Sequence, residues 1–342
     1  MSSTRLRWGI LGSGRIAGIF AQGVARSQSG VVMAIGSREE SKAREFALRF
    51  SIPVVHGSYE ALLADASVDA VYIATPHPQH LEWILAAAAA RKHVLCEKPL
   101  ALNATQARQA IEACRAAGVL LMEAFMYRCH PQTAKVLQIL KSGALGEIGL
   151  VQATFSFSAP FDPEARLFNP LLGGGGILDV GCYTTSIARL IAGLAEGQPY
   201  AEPEQLTGTA VLHPETGVDT LALADLRFGS GLLAQLSCGI TLGQESFVRI
   251  YGSEGWMLLT DPFIPAVDGG VSRIQMYRAG SKCPDMVRVE SSPLYSLEAD
   301  AFASARGKGL REVPEIPLGD TLGNMETLDR WRAAIGLKYP CE

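Results

Sequence analysis

The chain has 342 residues, 48% of them hydrophobic, and a formal net charge of −4. That length carries two domains and a sizeable core, and that charge gives no reason to expect nucleic acid or an anionic membrane as a partner. The seven cysteines (96, 114, 129, 182, 238, 283 and 341) form no C-x-x-C pair and are odd in number, which reads as reduced thiols in a cytoplasm-like compartment.

The first third alternates strand and helix. Residues 7–11 read as a short buried strand, and 15–26 as a helix with Ile16, Ile19, Phe20 and Val24 on one stripe. Arg15 interrupts the apolar start too early for a signal peptide. A second strand spans 31–35 and a helix 39–50; Ser58 starts a short helix carrying Leu62 and Leu63. A strand at 69–75, a helix at 78–91 and a strand at 93–96 follow. The apolar run from Ile84 to Ala90 is well short of the ~18 residues a membrane span needs. Asn103 is placed to cap a helix ending near Gly118, and 119–122 reads as one more strand. This order predicts a doubly wound parallel sheet, an α/β Rossmann domain over residues 1–124, with ligands at the carboxyl ends of its strands.

The pattern changes after Glu123. A helix at 131–142 precedes eight β-rich segments at 150–158, 206–213, 220–228, 232–240, 246–251, 256–260, 273–277 and 286–290. Gly-containing turns such as Gly229-Ser230-Gly231 join several of them. The expectation is a large open, mainly antiparallel sheet in an α+β domain over 125–342. A helical pattern at 174–191 covers one face, and helices at 297–308 and 318–335 close the chain.

Gly12-Ser13-Gly14-Arg15-Ile16-Ala17 follows a strand and opens a helix. Gly12 permits the tight turn, Gly14 admits a pyrophosphate, and Ala17 allows close helix–strand packing. A glycine turn without ligand has the same letters; the strand–turn–helix order favours a dinucleotide. The second strand ends in Ser37-Arg38, where an NAD site usually places an acid. A hydroxyl and a cation suit a 2′-phosphate, so NADP(H) is expected, with NAD(H) possible. Thr75, Pro76 and His80 follow the fourth strand, where a stiffened loop braces the cofactor. His77 and His80 with Cys96 and Glu97 raise a zinc question, but no second ligand pair exists, so no metal is expected, and His80 reads better as a helix-start residue or one supporting the site from behind.

Cys96-Glu97-Lys98-Pro99-Leu100 ends the 93–96 strand at the same sheet edge. A lysine there can act on the oxygen of an alcohol or ketone, and Glu97 can hold the ammonium or meet the nicotinamide ribose. The dipeptide alone fits a surface Glu-Lys pair equally well. In the second half, Gly173 to Gly176 lead into Ile177-Leu178-Asp179-Val180-Gly181-Cys182-Tyr183. Asp179 and Tyr183 stand four apart, on one face of a helix. An ammonium beside Tyr183 lowers its pKa, fitting it for acid–base work, with Asp179 binding a hydroxyl or orienting the lysine.

These motifs, in this order and over nearly the whole chain, resemble the glucose-fructose oxidoreductase, inositol dehydrogenase and rhizopine-catabolism oxidoreductase family. The resemblance implies a Rossmann domain plus an open sheet that forms a homodimer or homotetramer interface. It also implies Lys98 in the Glu-Lys-Pro motif and Tyr183 as the acid/base. Many sugar and inositol dehydrogenases of the family carry His at the position of Tyr183. The tyrosine makes the chain similar to the branch of dihydrodiol dehydrogenases, D-xylose dehydrogenases and deoxysugar ketoreductases. Arg128 and Arg166 match basic positions near the cofactor in relatives. The implied activity is NADP(H)-dependent interconversion of a secondary alcohol and a carbonyl on a sugar, polyol or trans-dihydrodiol. A non-catalytic NADP(H) sensor of the same fold and a biliverdin-reductase-like enzyme are the alternatives.

Overall fold

The computed structural model describes residues 5–281, 283–340 and 342, so Cys341 lies outside the described residues. The first third forms β1 (Leu6–Leu11), α1 (Arg15–Arg26), β2 (Gly30–Gly36), α2 (Glu40–Phe50), β3 (Val54–His56), α3 (Tyr59–Leu63), β4 (Ala70–Ile73), α4 (His80–Ala89), β5 (His93–Glu97), α5 (Ala104–Ala117) and β6 (Leu121–Ala124). The six strands are parallel, in the order β3-β2-β1-β4-β5-β6. The order turns back between β1 and β4, which opens a crevice at their carboxyl ends. Both faces of the sheet are covered, so its strands are mostly apolar; Trp8, Ile10, Tyr72, Val94 and Leu95 are fully buried. Ser58 caps α3 through Ala61 N–H, and Asn103 caps α5 through Gln106 N–H.

Two elements differ from expectation. β3 is only three residues long, too short to show a period, and no sequence pattern marks it. β6 sits two residues later than its sequence pattern, at Leu121–Ala124, because pairing with β5 aligns Glu97 with Ala124.

The rest of the chain forms α6 (Pro131–Lys141), β7 (Ile148–Ser156), α7 (Cys182–Ala195), β8 (Pro203–Leu212), β9 (Asp219–Phe228), β10 (Leu233–Gly239), β11 (Phe247–Gly252), β12 (Gly255–Leu259), β13 (Gly270–Arg278), β14 (Asp285–Ser291), α8 (Leu294–Gly307) and α9 (Leu318–Ala334). The eight strands make one sheet, β14-β13-β12-β11-β7-β10-β9-β8, antiparallel except for the β7–β10 pair. β9 shows a half-covered sheet: Ala222, Ala224, Leu226 and Phe228 are buried, while Leu223, Asp225 and Arg227 between them face out. Helices α7 and α9 pack on the buried side; α8 and α9 also pack back against α1 and α5 of the Rossmann domain. The segment Pro170–Ala195 is apolar over the length of a membrane span, but 94% of its apolar window is buried inside the protein. Its last part is α7, buried over nearly its whole length.

Candidate active site

Everything needed for a dinucleotide converges on the crevice between β1 and β4. Gly12 has φ +100°, and a Cβ there would sit 3.0 Å from Ala74 O, so only glycine makes this turn comfortably. Gly14 faces open space, with nothing within 4 Å of a would-be Cβ. Gly14 is also the N-cap of α1; no side chain caps that terminus, and no acid stands in its first turn. The free N–H groups and positive helix end are left for an anion, with Ser13, Arg15 and Ile16 lining the same space. Ser37 is buried, its Oγ accepting from Glu39 N–H at 3.3 Å. Arg38 is exposed and bonds the Tyr59 hydroxyl, and Lys42 joins it on the rim, paired with Glu39 at 2.6 Å. These residues fit a pyrophosphate and an additional phosphate.

The crevice continues as a cleft of about 750 Å³ toward the second domain. Lys98 enters from the end of β5, before a cis peptide to Pro99. Its Nζ donates to Asp179 O at 2.6 Å and lies 3.3 Å from Asp179 Oδ1. Burial works against the ammonium, but Asp179 outweighs it and raises the Lys98 pKa. Asp179 is buried as well, which raises a carboxyl; Lys98 and Arg166 overcome this and hold it well below the usual carboxylate range. Arg166, from the loop after β7, bonds Asp179 Oδ1 at 3.0 Å and reaches His77 Nε2 at 3.4 Å. Burial keeps His77 neutral, so its Nε2 accepts from the guanidinium. Glu97 stands behind Lys98, accepting from the Tyr72 hydroxyl and, at 3.2 Å, from Lys98 N–H. Its burial raises its pKa.

Tyr183 lies across the same cleft. Lys98 Nζ is 5.1 Å from its ring centroid, a cation–π arrangement. Phe125, Phe155, Tyr127 and Phe263 surround the ring, with centroids 5.1 to 5.9 Å away. Its hydroxyl has Met126 Sδ at 3.5 Å. The expectation of a lowered phenol pKa is corrected: burial in this aromatic box pushes it well above 10. The ammonium lies over the ring rather than against the oxygen, so it offsets little of that cost.

The helix carrying Asp179 and Tyr183 starts later than its sequence pattern. Gly173 and Gly175 have positive φ (66° and 109°), so the glycine run is a loop. A wide π-turn over Ile177–Gly181 then leads into α7. Asp219 at the start of β9 explains the glycines. Its Oδ2 accepts from Ile177 N–H at 2.7 Å, and a Cβ on Gly175 would collide with Oδ1. Asp219 is thus a tertiary cap for the segment that holds both cleft residues. Its burial pushes its carboxyl up to about 7.

Gly12, Ser13, Gly14, Arg15, Ile16, Ser37, Arg38, Thr75, Pro76, Glu97, Lys98, Arg166, Asp179 and Tyr183 all line the one cleft. Two residues assigned to the cofactor do not. Arg128 is buried away from it, its Nη1 bonding Asp320 Oδ2 at 2.7 Å and Ser186 Oγ at 3.2 Å, where it ties α7 to α9. His80 is fully buried behind the loop; its two ring nitrogens meet Pro99 O and Thr75 O, both at 2.9 Å. It braces the turns that present Thr75 and Lys98, and burial lowers it to about 4. Among the described residues no group of three or more His, Cys, Asp and Glu could hold a metal ion.

Sequence reasoning did not find Met126, Phe155, Phe157, Ile264 and Tyr295, which also line the cleft. Phe155 and Phe157, two apart at the end of a strand, share a face and carried a usable signal. Ile264, in the β12–β13 loop, and Tyr295, at the start of α8, carried none.

A Rossmann crevice opening onto a cleft floored by a half-covered sheet defines a nucleotide-dependent oxidoreductase. Residues 6–125 match the oxidoreductase family with an NAD-binding Rossmann fold, and residues 133–258 match the GFO/IDH/MocA C-terminal domain. The chain belongs to this family and is an enzyme of the dehydrogenase and reductase class. It is 33% identical to the trans-1,2-dihydrobenzene-1,2-diol dehydrogenase of Mus musculus, over 98% of each chain. It is 34% identical to D-xylose 1-dehydrogenase (NADP(+)) 2 of Haloferax volcanii, over 95% of each. Among solved structures, a 3-ketoreductase from Actinomadura kijaniata in complex with NADP and TDP-benzene superposes with a TM-score of 0.86. That pair is 29% identical, over 97% of this chain and 98% of the other.

Proposed function

We propose that the protein uses NADP(H) to interconvert a secondary alcohol and a carbonyl on a sugar, polyol or trans-dihydrodiol. The observation that carries this reading is Lys98 and Tyr183 facing one space, 5.1 Å from ammonium to ring centroid, beside the dinucleotide crevice. A bound nicotinamide supplies or accepts the hydride. Lys98, an ammonium at neutral pH, donates a hydrogen bond to the reacting oxygen and stabilises the charge that develops there. Tyr183, a neutral phenol, gives its proton to that oxygen as the carbonyl carbon becomes a carbinol. Solvent then restores the phenol proton. Oxidation runs the same steps backward: the substrate hydroxyl passes its proton to the Tyr183 oxygen as the phenol releases its own to solvent. Asp179 fixes the Lys98 head group and, through Arg166, the loop above the cleft.

The preference for NADP(H) rests on Ser37 and Arg38 just after β2 and Lys42 in α2, where the lining acid Glu39 is paired with Lys42. The 3-ketoreductase neighbour, with NADP bound, and the NADP(+)-dependent xylose dehydrogenase relative support it. The decisive experiment assays a panel of cyclic diols, pentoses and their ketones with each dinucleotide, following reduced-nicotinamide absorbance. Turnover of one of these classes with NADP(H) is expected; binding of the dinucleotide without turnover of any of them overturns the reading.

The open sheet face is the proposed docking surface for a second copy. Leu223 and Leu233 are 46% and 50% exposed on adjacent strands, and Trp256 stacks on Tyr277 at 3.9 Å farther along the sheet. Leu233→Glu is expected to shift the sedimentation coefficient from dimer toward monomer; an unchanged value removes this face from the interface.

A further inference from the structure

The two halves of the active site are fastened together from behind. Lys98 stands on the turn that ends β5, and that turn runs on to Leu102 and Asn103 before α5. Asp179 follows the glycine segment of the second domain. Gly174 N–H donates to Asn169 O at 3.1 Å and Gly175 N–H to Leu167 O at 2.9 Å, so the glycine segment and the loop of Arg166 form one piece. The Lys98 turn and this piece touch at Gly173, where a Cβ would fall 2.5 Å from Leu102 Cδ2. The contact is apolar, and apolar contact has no preferred direction.

Direction comes from the end of α9 and the chain after it. Gly336 has φ +72°; its N–H returns to Ala333 O at 3.1 Å, and Leu337 N–H to Arg332 O at 2.9 Å. This glycine cap folds the chain back over the last helical turn. The Tyr339 ring thereby lies on the Arg332 guanidinium, 4.9 Å to the centroid. Arg332 is held by Asp329 at 2.6 Å and by Glu342 at 2.7 and 2.8 Å. Its Nη2 also donates to Leu102 O at 3.3 Å, on the Lys98 turn. The Tyr339 hydroxyl donates to Gly174 O at 2.5 Å, in the glycine segment. Both side chains are buried, so water competes little for either carbonyl. One stacked pair thus grips a carbonyl on each side of the junction, and neither residue lines the cleft.

We propose that Arg332 and Tyr339 form a positioning clamp that sets Lys98 against Asp179, and with it the angle at which the ammonium meets the reacting oxygen. This rests on the oxidoreductase reading above and adds to that site two residues that touch no ligand. Lys98 Nζ lies 2.6 Å from Asp179 O, a bond that leaves little slack between the two pieces. Opening either jaw lets the pieces slide and disperses the ammonium, and a misplacement of about 1 Å is enough to lower a rate severely. The dinucleotide crevice is spared, because its turn belongs to β1 and α1.

The test is Tyr339→Phe, which keeps the ring on Arg332 and removes only the bond to Gly174 O. With a substrate that the wild type turns over, kcat is expected to fall by about five- to tenfold, while substrate KM and NADPH affinity stay within about twofold. Hydrogen–deuterium exchange, read by peptide mass spectrometry, is expected to rise over residues 173–179 and to stay unchanged in β1 to β4. Arg332→Lys keeps the charge but loses the planar fork, and is expected to raise exchange over 98–103 as well. Unchanged kcat in Tyr339→Phe overturns the clamp and leaves the oxidoreductase reading standing. So does a rise in exchange across the whole molecule with kcat and NADPH affinity falling together, since the pair then supports the fold at large. A wild type that binds NADPH and turns over no member of the substrate panel overturns the oxidoreductase reading instead. The exchange measurement needs no substrate: a rise confined to 173–179 upholds the clamp even then, and no rise there removes it.

Discussion

On the dinucleotide side of the cleft, one stretch from Gly12 to Ala17 supplies the turn, the close approach and the helix end. On the substrate side, no two neighbouring residues suffice: Lys98, Met126, Phe155, Phe157, Arg166, Asp179, Tyr183 and Ile264 come from six separate segments. The first wall is a property of a turn and a helix terminus, so it survives wherever those residues occur in order. The second is a property of how two sheets and α7 pack, so it depends on residues that touch no ligand. Asp219 is the clearest of these, since its carboxylate holds the segment on which Asp179 and Tyr183 are mounted.

The sharpest way to separate the two walls is Tyr183→Phe. Removing the phenol proton is expected to lower kcat by about 10²- to 10⁴-fold, the range for a positioned acid–base group. NADPH affinity, measured by fluorescence titration, should stay within about twofold. A variant that keeps near-normal turnover would show the proton comes from elsewhere. The converse break is Arg38→Ala on the dinucleotide wall. Loss of a charge-assisted contact to the 2′-phosphate should weaken NADPH by about ten- to a hundredfold while leaving NADH unaffected. Equal weakening of both dinucleotides would move the phosphate contact off Arg38.

Asp219→Asn probes the second wall from behind. The amide keeps one acceptor for Ile177 N–H but removes the negative charge at the start of the segment. Turnover is expected to fall by about five- to tenfold with NADPH affinity preserved, because only the substrate wall loses its support. If both parameters fall together, Asp219 supports the whole molecule rather than one wall.

The smallest expected effect is in pH-dependent stability, at Glu123. Its Oε1 accepts from Leu100 N–H at 2.9 Å, bracing the turn after Lys98, and burial pushes its carboxyl up to about 8. A raised carboxyl pKa means the folded state holds its proton more tightly than the unfolded chain. Its contribution to stability is therefore full below the unfolded value of about 4.3 and is lost as pH rises through about 8. Glu123→Gln should flatten the fall in Tm of the wild type between about pH 5 and 8, by a few degrees. Parallel Tm profiles for the two proteins would place the titration on another group.

The sequence was informative in proportion to how local each feature is. The α1 helix was read to the residue because its apolar stripe and glycine turn are both written within a dozen positions. Lys98 was legible because a strand end fixes it. Arg128 was placed near the cofactor by resemblance and His80 by its loop, and the packing puts Arg128 elsewhere and His80 behind the loop at the start of α4. Arg128 has a buried carboxylate, Asp320, waiting on α9, and His80 has two carbonyls behind its loop. The Tyr183 pKa was misjudged because a neighbouring cation is visible in sequence and four surrounding aromatic rings are not.

By itself the sequence determined the parallel sheet, the dinucleotide turn and the family of the chain, because hydrophobic period, glycine geometry and helix termini act over a few residues. The tertiary structure decided which cation pairs with which acid, that Tyr183 stays a neutral phenol, and that Met126, Phe155, Phe157 and Ile264 line the space beside it. Those outcomes depend on desolvation and on distances between residues as far apart as Lys98 and Asp179. Neither quantity exists until the two domains have packed.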